Sequence, residues 1–323
     1  MAERVSVALC THNGVDHLDE QLRSVLAQSR MIDEIVLSDD ASSDGTRELL
    51  ESFRVSAPAG VDVVILKNDR PLGVTANFEA AIRATTGDVI LLCDQDDRWA
   101  SDKVESLLGL LAAPGALLAH SDARIIDGSG SPTGDTLFGA LGVSAGELRA
   151  EERGDGARVL LRRNIVTGAT AALRRELAEA AMPFPGSWVH DEWLAMLAAI
   201  GDGLRVSRRT LTDYRIHGGN QIGASRLTAG TAMGRLTASR AARNARLLAR
   251  AEDLFLRVSA DGSADRQLVA VLEAKVVHER IRSGYPAARP LRIVPVVRQA
   301  LTGAYTRYGG GLRDVLRDLV QPA

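Results

Sequence analysis

The chain has 323 residues, 46% of them apolar and 25% charged, values that allow a sizeable core and exclude a disordered polymer. Its formal net charge of −2 hides a split: residues 226–323 hold 17 Lys+Arg against 8 Asp+Glu, while residues 1–225 hold 22 against 33. An acidic body whose aromatics are 4% of residues argues against nucleic acid as a partner, because no basic stripe interleaved with aromatics is present.

From Met1–Arg4 the chain enters an apolar run, Val5–Cys10, too short for the core of a signal peptide. No later run approaches the ~18 apolar residues that would cross a bilayer. A cytoplasmic protein is therefore expected, peripheral at the inner face of the membrane if it meets one. Helix-period segments then alternate with β-rich runs: 16–28, Glu34–Leu37, 44–54, Val61–Leu66, 74–85, Val89–Cys93 and 102–112. This rhythm predicts an α/β, doubly wound, mainly parallel sheet, which binds ligands beyond the carboxyl ends of its strands. At those ends the sequence places Thr11-His12-Asn13-Gly14, Ser38-Asp39-Asp40, Asp94-Gln95-Asp96-Asp97 and His120-Ser121-Asp122, so several carboxylates should share one rim. Gly and polar residues over 127–157 predict a loop or flap, with β-like stretches resuming over 158–172 and 204–214. Beyond residue 226 the pattern is helical, with Ala, Leu and Arg prominent over 233–257 and 263–283. Pro286, Pro290 and Pro295 interrupt it before a short amphipathic helix, Leu312–Val320. The division is thus a sheet domain over 1–225 and a helical C-terminal region over 226–323. Cys10 and Cys93 each close an apolar run and read as buried free thiols.

Asp94-x-Asp96 follows the strongest strand, and two hard carboxylates there can bind a divalent cation that neutralises a diphosphate. Taken alone, the pair is better explained by turn and helix-cap duty. Its context changes the balance. Thr11-His-Asn13-Gly14, Ser38-Asp39-Asp40-Ala-Ser-Ser-Asp44-Gly45-Thr46, Gly73 with Asn77, and Asp94-Gln-Asp96-Asp97-Arg-Trp99 follow strands one to four in order. This series resembles the family 2 glycosyltransferases of the GT-A fold. His190-Asp191-Glu-Trp193-Leu and Tyr214-Arg-Ile-His217-Gly-Gly-Asn220 look like its rhamnosyltransferase-like members, and the likeness covers about residues 4–223.

The resemblance implies that Thr11 and Asp40 hold a pyrimidine base, with Asn13 beside them and Asn77 on the donor side. Asp94 would meet the ribose and Asp96 the metal, with Gln95 between them in the donor site. Asp44, before Gly45-Thr46, reads instead as a helix cap. His217 enters a Gly-Gly turn and is a candidate metal ligand, its nitrogen favouring Mn²⁺ over Mg²⁺ as the divalent metal. Inverting transfer needs a base for the acceptor hydroxyl. Asp191 and Glu192 point about 100° apart on a helix, and Asp191 is chosen because the resembled motif places its base there and because it shares a stripe with Leu194, Ala195 and Ala198. Capping of the 190–200 helix is the alternative for Asp191. Asn164-Ile-Val-Thr167-Gly168-Ala169-Thr170 looks like a border of the sugar cleft, with core packing an equal explanation; Trp193 reads as core.

The expected function is transfer of a single sugar, rhamnose by analogy, from a UDP- or dTDP-sugar to a saccharide or lipid-linked saccharide acceptor. A Gln-x-x-Arg-Trp motif, which accompanies processive synthesis in many relatives, is absent. Two rivals stand beside this reading. A sugar-1-phosphate nucleotidyltransferase needs a Gly-rich basic loop where this chain has Thr-His-Asn-Gly-Val-Asp, and an inactive scaffold of the same fold would have no reason to keep competent donor, metal and base positions. In the tail, Arg240, Arg243, Arg246 and Arg250 lie near one helical face. They are read either as solvated helix positions or as contacts to anionic lipid headgroups.

Overall fold

A computed structural model describes residues 3–217, 239–262 and 264–322. The chain divides into two compact units, Met1–Leu160 with Asn164–Ala224, and Leu161–Arg163 with Ser225–Ala323.

In the first unit, β1 (Val5–Thr11), β2 (Glu34–Asp39), β3 (Asp62–Lys67) and β4 (Val89–Asp94) run parallel, in the spatial order β3-β2-β1-β4. Every residue of β1 and β2 is buried, as strands covered on both faces require, whereas the edge strand β3 alternates between exposed and half-buried positions. The helices α1 (Val15–Leu26), α2 (Thr46–Ser56) and α3 (Val74–Ala84) make the crossovers. Leu18, Leu22 and Val25 of α1 are buried at helical spacing and join Val7, Leu9, Ile35, Leu37 and Leu91 in the main core. Asp44 caps the start of α2, accepting from Thr46 N at 3.0 Å, as the sequence suggested.

Beyond β4 the sheet becomes mixed. After β5 (Arg98–Trp99) and α4 (Lys103–Leu111) come β6 (Leu118–Asp127), β7 (Pro132–Thr136), β8 (Ala171–Arg174) and β9 (Leu204–Ile216). The sheet continues β4-β8-β6-β9-β5, with β7 on β6; β8 is antiparallel to both of its neighbours, and β6 and β9 are parallel. Two expectations are corrected here. Residues 127–157 hold β7 and the short helices α5 (Leu137–Ala140) and α6 (Ala145–Glu151), and the β-like stretch 158–172 is helical at α7 (Gly156–Leu160) and 3₁₀ at Gly168–Thr170. The apolar residues of 158–172 are too closely grouped for period-2 and period-3.6 patterns to be told apart. Likewise, His120-Ser121-Asp122 lies inside β6, fully or nearly fully buried, with His120 Nε2 bonded to Glu151 Oε1 at 2.6 Å. It therefore leaves the rim. The helices α8 (Arg175–Ala181) and α9 (His190–Ile200) complete this unit.

The second unit is helical: α10 (Arg240–Ser259), α11 (Arg266–Ser283), α12 (Arg289–Leu301), α13 (Ala304–Tyr308) and α14 (Leu312–Val320). Its centre is ionic as well as apolar. Buried Arg282 pairs with Glu279 at 2.8 Å and with Asp318 at 2.7 Å, next to Tyr285, Val296 and Tyr305. Arg240 donates to the carbonyls of Arg282 and Tyr285, and Arg243 pairs with Asp314. These two arginines face the unit's interior, so the expectation that they touch headgroups is withdrawn. No helix among the described residues is long and apolar enough to cross a membrane.

Candidate active site

Strand register builds the rim. Cys10 pairs with Ser38 on one side and with Asp94 on the other, so the chain leaves β1, β2 and β4 at one level and the motifs that follow them meet. Thr11 Oγ1 donates to Asp39 Oδ1 at 2.9 Å, and Ser42 and Arg47 also donate to Asp39. Burial opposes ionisation of Asp39, but these donors hold its carboxyl below the ordinary carboxylate range. Asp40 accepts from Leu72 N at 2.6 Å, Gly73 N at 2.9 Å and Asn68 Nδ2 at 3.3 Å. The loop before α3 is thereby anchored, and roughly one of the carboxylate's four lone-pair sites is left for a ligand.

Three predicted donor-site residues are bonded to the scaffold. Asn77 is buried, donates to Ser38 O at 3.0 Å and accepts from Ser38 Oγ at 2.6 Å and Asn68 Nδ2 at 3.0 Å, which ties α3 to β2. Asn13 takes the left-handed conformation, φ 50°, and its Oδ1 accepts from Ser43 N at 2.8 Å. Gln95 grips the backbone of His12 on both sides of its Cα, accepting from His12 N at 2.8 Å and donating to His12 O at 3.1 Å. That grip explains Gly14, where a Cβ would come within 2.2 Å of Gln95 Oε1.

The two candidate metal ligands, 121 positions apart in sequence, are in direct contact: His217 Nε2 lies 2.8 Å from Asp96 Oδ2. Gly218–Asn220 of the same motif lie outside the described residues. Beneath the pair sits Arg215, which sequence reasoning left without a role. Its buried guanidinium donates to Asp96 O at 2.7 Å and to Glu20 Oε2 at 2.6 Å, while its backbone N donates to Asp97 Oδ1 at 2.9 Å. Its place two residues before His217, in the same motif, was the available signal. His17, whose ring centroid is 5.1 Å from that of His217, also escaped notice.

Among the described residues, no three or more His, Cys, Asp or Glu side chains form a group suited to a metal ion. Two protein ligands nevertheless suit a cation whose other positions belong to phosphate oxygens and water. The charges around the pair favour one. Asp94 is pushed up to about 7 by burial and then by Asp96 and Asp191, and Asp97 is raised by burial and by Asp96 and Asp94. Crowded carboxylates of this kind are relieved by a bound cation. Lys103, a second residue without a sequence signal, offsets part of that charge. Its buried ammonium donates to Ala169 O at 2.6 Å and Thr212 Oγ1 at 3.0 Å, over the ring of Trp99.

Asp191 stands in the first turn of α9. Its Oδ2 accepts from Gly168 N at 2.9 Å and its Oδ1 from Glu192 N at 2.7 Å. A cavity of about 210 Å³ lies between this turn and the end of β4, lined by Asp94, Asn164, Thr167, Gly168, Asp191 and Tyr214 with other residues. The carboxylate after β4 and the one opening α9 thus face one space, and the 164–168 segment borders it. Trp193 is core, as expected, its Nε1 donating to Ala181 O at 2.9 Å.

Residues 6–180 match the family model described as Glycosyl transferase family 2. Among curated proteins, the dTDP-rhamnosyl transferase RfbG of Shigella flexneri is 32% identical over 106 residues, 32% of this chain and 36% of that protein. The first curated relatives are matched over between about a third and two thirds of their own length. Among solved structures, TarS 1–349 of S. aureus in complex with UDP-GlcNAc superposes with a TM-score of 0.61 at 14% identity, covering 92% of this chain and 80% of that one. The mannosyltransferase PcManGT of Pyrobaculum calidifontis, in complex with GDP-Man and Mn²⁺, gives 0.55 at 19% identity, covering 98% and 86%. At these identities the structural likeness concerns the fold, which is GT-A.

Proposed function

Because the chain belongs to glycosyl transferase family 2, we propose that it transfers a single sugar, with inversion, from a UDP- or dTDP-sugar to a saccharide or lipid-linked saccharide hydroxyl in cell-surface polysaccharide synthesis. The observation that carries this reading is the one cavity faced by both Asp94 and Asp191, where a donor held at the β4 end meets an acceptor at the start of α9. Rhamnose as the sugar rests on the likeness to a dTDP-rhamnosyl transferase.

Thr11 and Asp40 would hold the base and Asp94 the ribose. Asn13, Asn77 and Gln95 would serve the donor by shaping the rim behind them. Asp96 and His217 would hold Mn²⁺ or Mg²⁺, which supplies positive charge to the leaving diphosphate. Asp191 takes the acceptor proton as the acceptor oxygen forms its bond to the anomeric carbon. On the opposite face the anomeric carbon–oxygen bond breaks, and the nucleoside diphosphate leaves with the electron pair. Gly168 N, donating to Asp191 Oδ2, fixes the orientation of that base.

The second unit supports peripheral contact with an anionic bilayer. On α12, Val294 and Leu301 are 75% and 84% exposed, as is Leu312 of α14 at 73%, and Arg289, Arg298 and Arg313 beside them are exposed. An apolar face edged with arginine matches an interfacial helix.

Calorimetric titration with UDP and with dTDP, with and without Mn²⁺, tests the donor site. Metal-dependent binding that collapses in Asp96→Ala and His217→Ala is the expected result. Absence of metal-dependent binding of either nucleotide would overturn the reading.

A further inference from the structure

His190 opens α9 beside Asp191 and lines the same cavity. The residue is 4% exposed, and its ring stacks on Phe78 with centroids 3.9 Å apart and planes at 17°. Neither ring nitrogen has a hydrogen-bond partner among the described residues. Burial pushes the imidazole down to about 3, so at neutral pH it carries one N–H donor and one acceptor nitrogen. Across the cavity wall, Gly168 keeps the approach open: a Cβ there would lie 3.0 Å from His190 Nε2.

Buried polar groups are nearly always paired, and stacking on phenylalanine does not by itself call for two polar ring nitrogens. A histidine kept at this point therefore indicates a partner that arrives from outside. That partner meets a neutral donor–acceptor pair next to the proposed base, in a cavity that Asp94, Asn164, Thr167 and Tyr214 also line beside apolar Val74 and Leu141. A sugar hydroxyl, which both donates and accepts, is the complementary group.

We propose that His190 is a positioning residue that hydrogen-bonds a ring hydroxyl of a sugar bound in this cavity, either the hexose of the donor or the acceptor saccharide. The inference rests on the transferase reading above and adds a specific contact to it. It also gives the His190-Asp191 pair a division of labour in which one side chain orients a hydroxyl and the next takes a proton.

His190→Phe and His190→Gln test it on the full chain. Thermal unfolding and calorimetry would be run with Mn²⁺ and UDP or dTDP alone, with UDP-glucose and dTDP-rhamnose, and with methyl glycosides added to the nucleotide complex. In His190→Phe, Tm should rise, because two unsatisfied nitrogens are gone, and nucleotide affinity should stay within about twofold of the original while affinity for a sugar probe falls roughly tenfold. Loss confined to the sugar nucleotides assigns the contact to the donor, and loss confined to the methyl glycosides assigns it to the acceptor. His190→Gln should recover part of the lost affinity. Unchanged affinity for every sugar probe in both variants would overturn the inference alone. A wild-type protein that binds neither nucleotide would overturn the transferase reading and this contact together.

Discussion

Asp191 and His190 are neighbours in sequence with opposite electrostatic demands, and each gives a separable measurement. Asn at position 191 keeps the shape and an oxygen for Gly168 N but cannot take a proton. Asp191→Asn should lower kcat by roughly 10²–10⁴-fold, the usual range for a general base, and leave calorimetric affinity for UDP or dTDP unchanged. Retained turnover would move the role to Glu192. Burial of an uncharged His190 costs stability in acid. Its folded value of about 3 lies below the unfolded 6.5, so the unfolded chain binds the extra proton between these values, and the stabilisation present above pH 6.5 is lost progressively as pH falls towards 3. At pH 5 the loss is about 2 kcal/mol by linkage. Asp94, raised to about 7, and His278, lowered to about 4, titrate in the same window with opposite effects on stability, so the His190 contribution is read as the change that His190→Phe makes to the difference between the urea midpoints at pH 7 and pH 5.

At the scale of elements, the strands of the parallel half were legible because each is an apolar run closed by polar residues, and its register alone brings Thr11, Asp39 and Asp94 together. Asp96 and His217 were legible as residue types, but their 2.8 Å contact depends on β9 returning beside β6 and β5, a long-range pairing that no local pattern encodes. Arg215 and Lys103 were hidden for a related reason: each is a cation inside the protein whose partners come from three separate segments. The helical region carries the same lesson. Arg240 and Arg243 sit on an Arg-rich helix that looks solvent-facing in sequence, yet they point at Arg282, Tyr285 and Asp314. There Asp318 accepts from the Arg282 guanidinium, Asn244 and Tyr305. Asp318→Ala would leave a fully buried arginine without one of its two close counter-ions, and breaking a buried pair typically costs roughly 3–5 kcal/mol. Hydrogen exchange should show α11 losing most of its protection, with β1 and β4 unaffected; an α11 that stays protected would mean that Glu279 alone holds Arg282.

For the whole molecule, the excess of basic residues after position 225 and the excess of acidic residues before it divide the labour that a lipid-linked acceptor would require. A cavity that gathers a cation would gain nothing from an anionic surface, whereas arginines beside exposed Val294, Leu301 and Leu312 would gain both headgroup attraction and apolar burial. Each basic side chain near an anionic surface contributes about 1 kcal/mol, so exposed Arg289, Arg298 and Arg313 together would give a contact that is reversible and salt-sensitive. The protein should sediment with vesicles containing phosphatidylglycerol at low salt, less so as salt rises, and little with phosphatidylcholine alone. The double substitution Val294→Glu with Leu301→Glu changes only exposed positions, so it should abolish sedimentation while leaving metal-dependent nucleotide binding intact. Equal sedimentation with both vesicle types, insensitive to salt and to the double substitution, would separate the basic region from the membrane and leave its arginines with the internal duty already visible in Arg240 and Arg243.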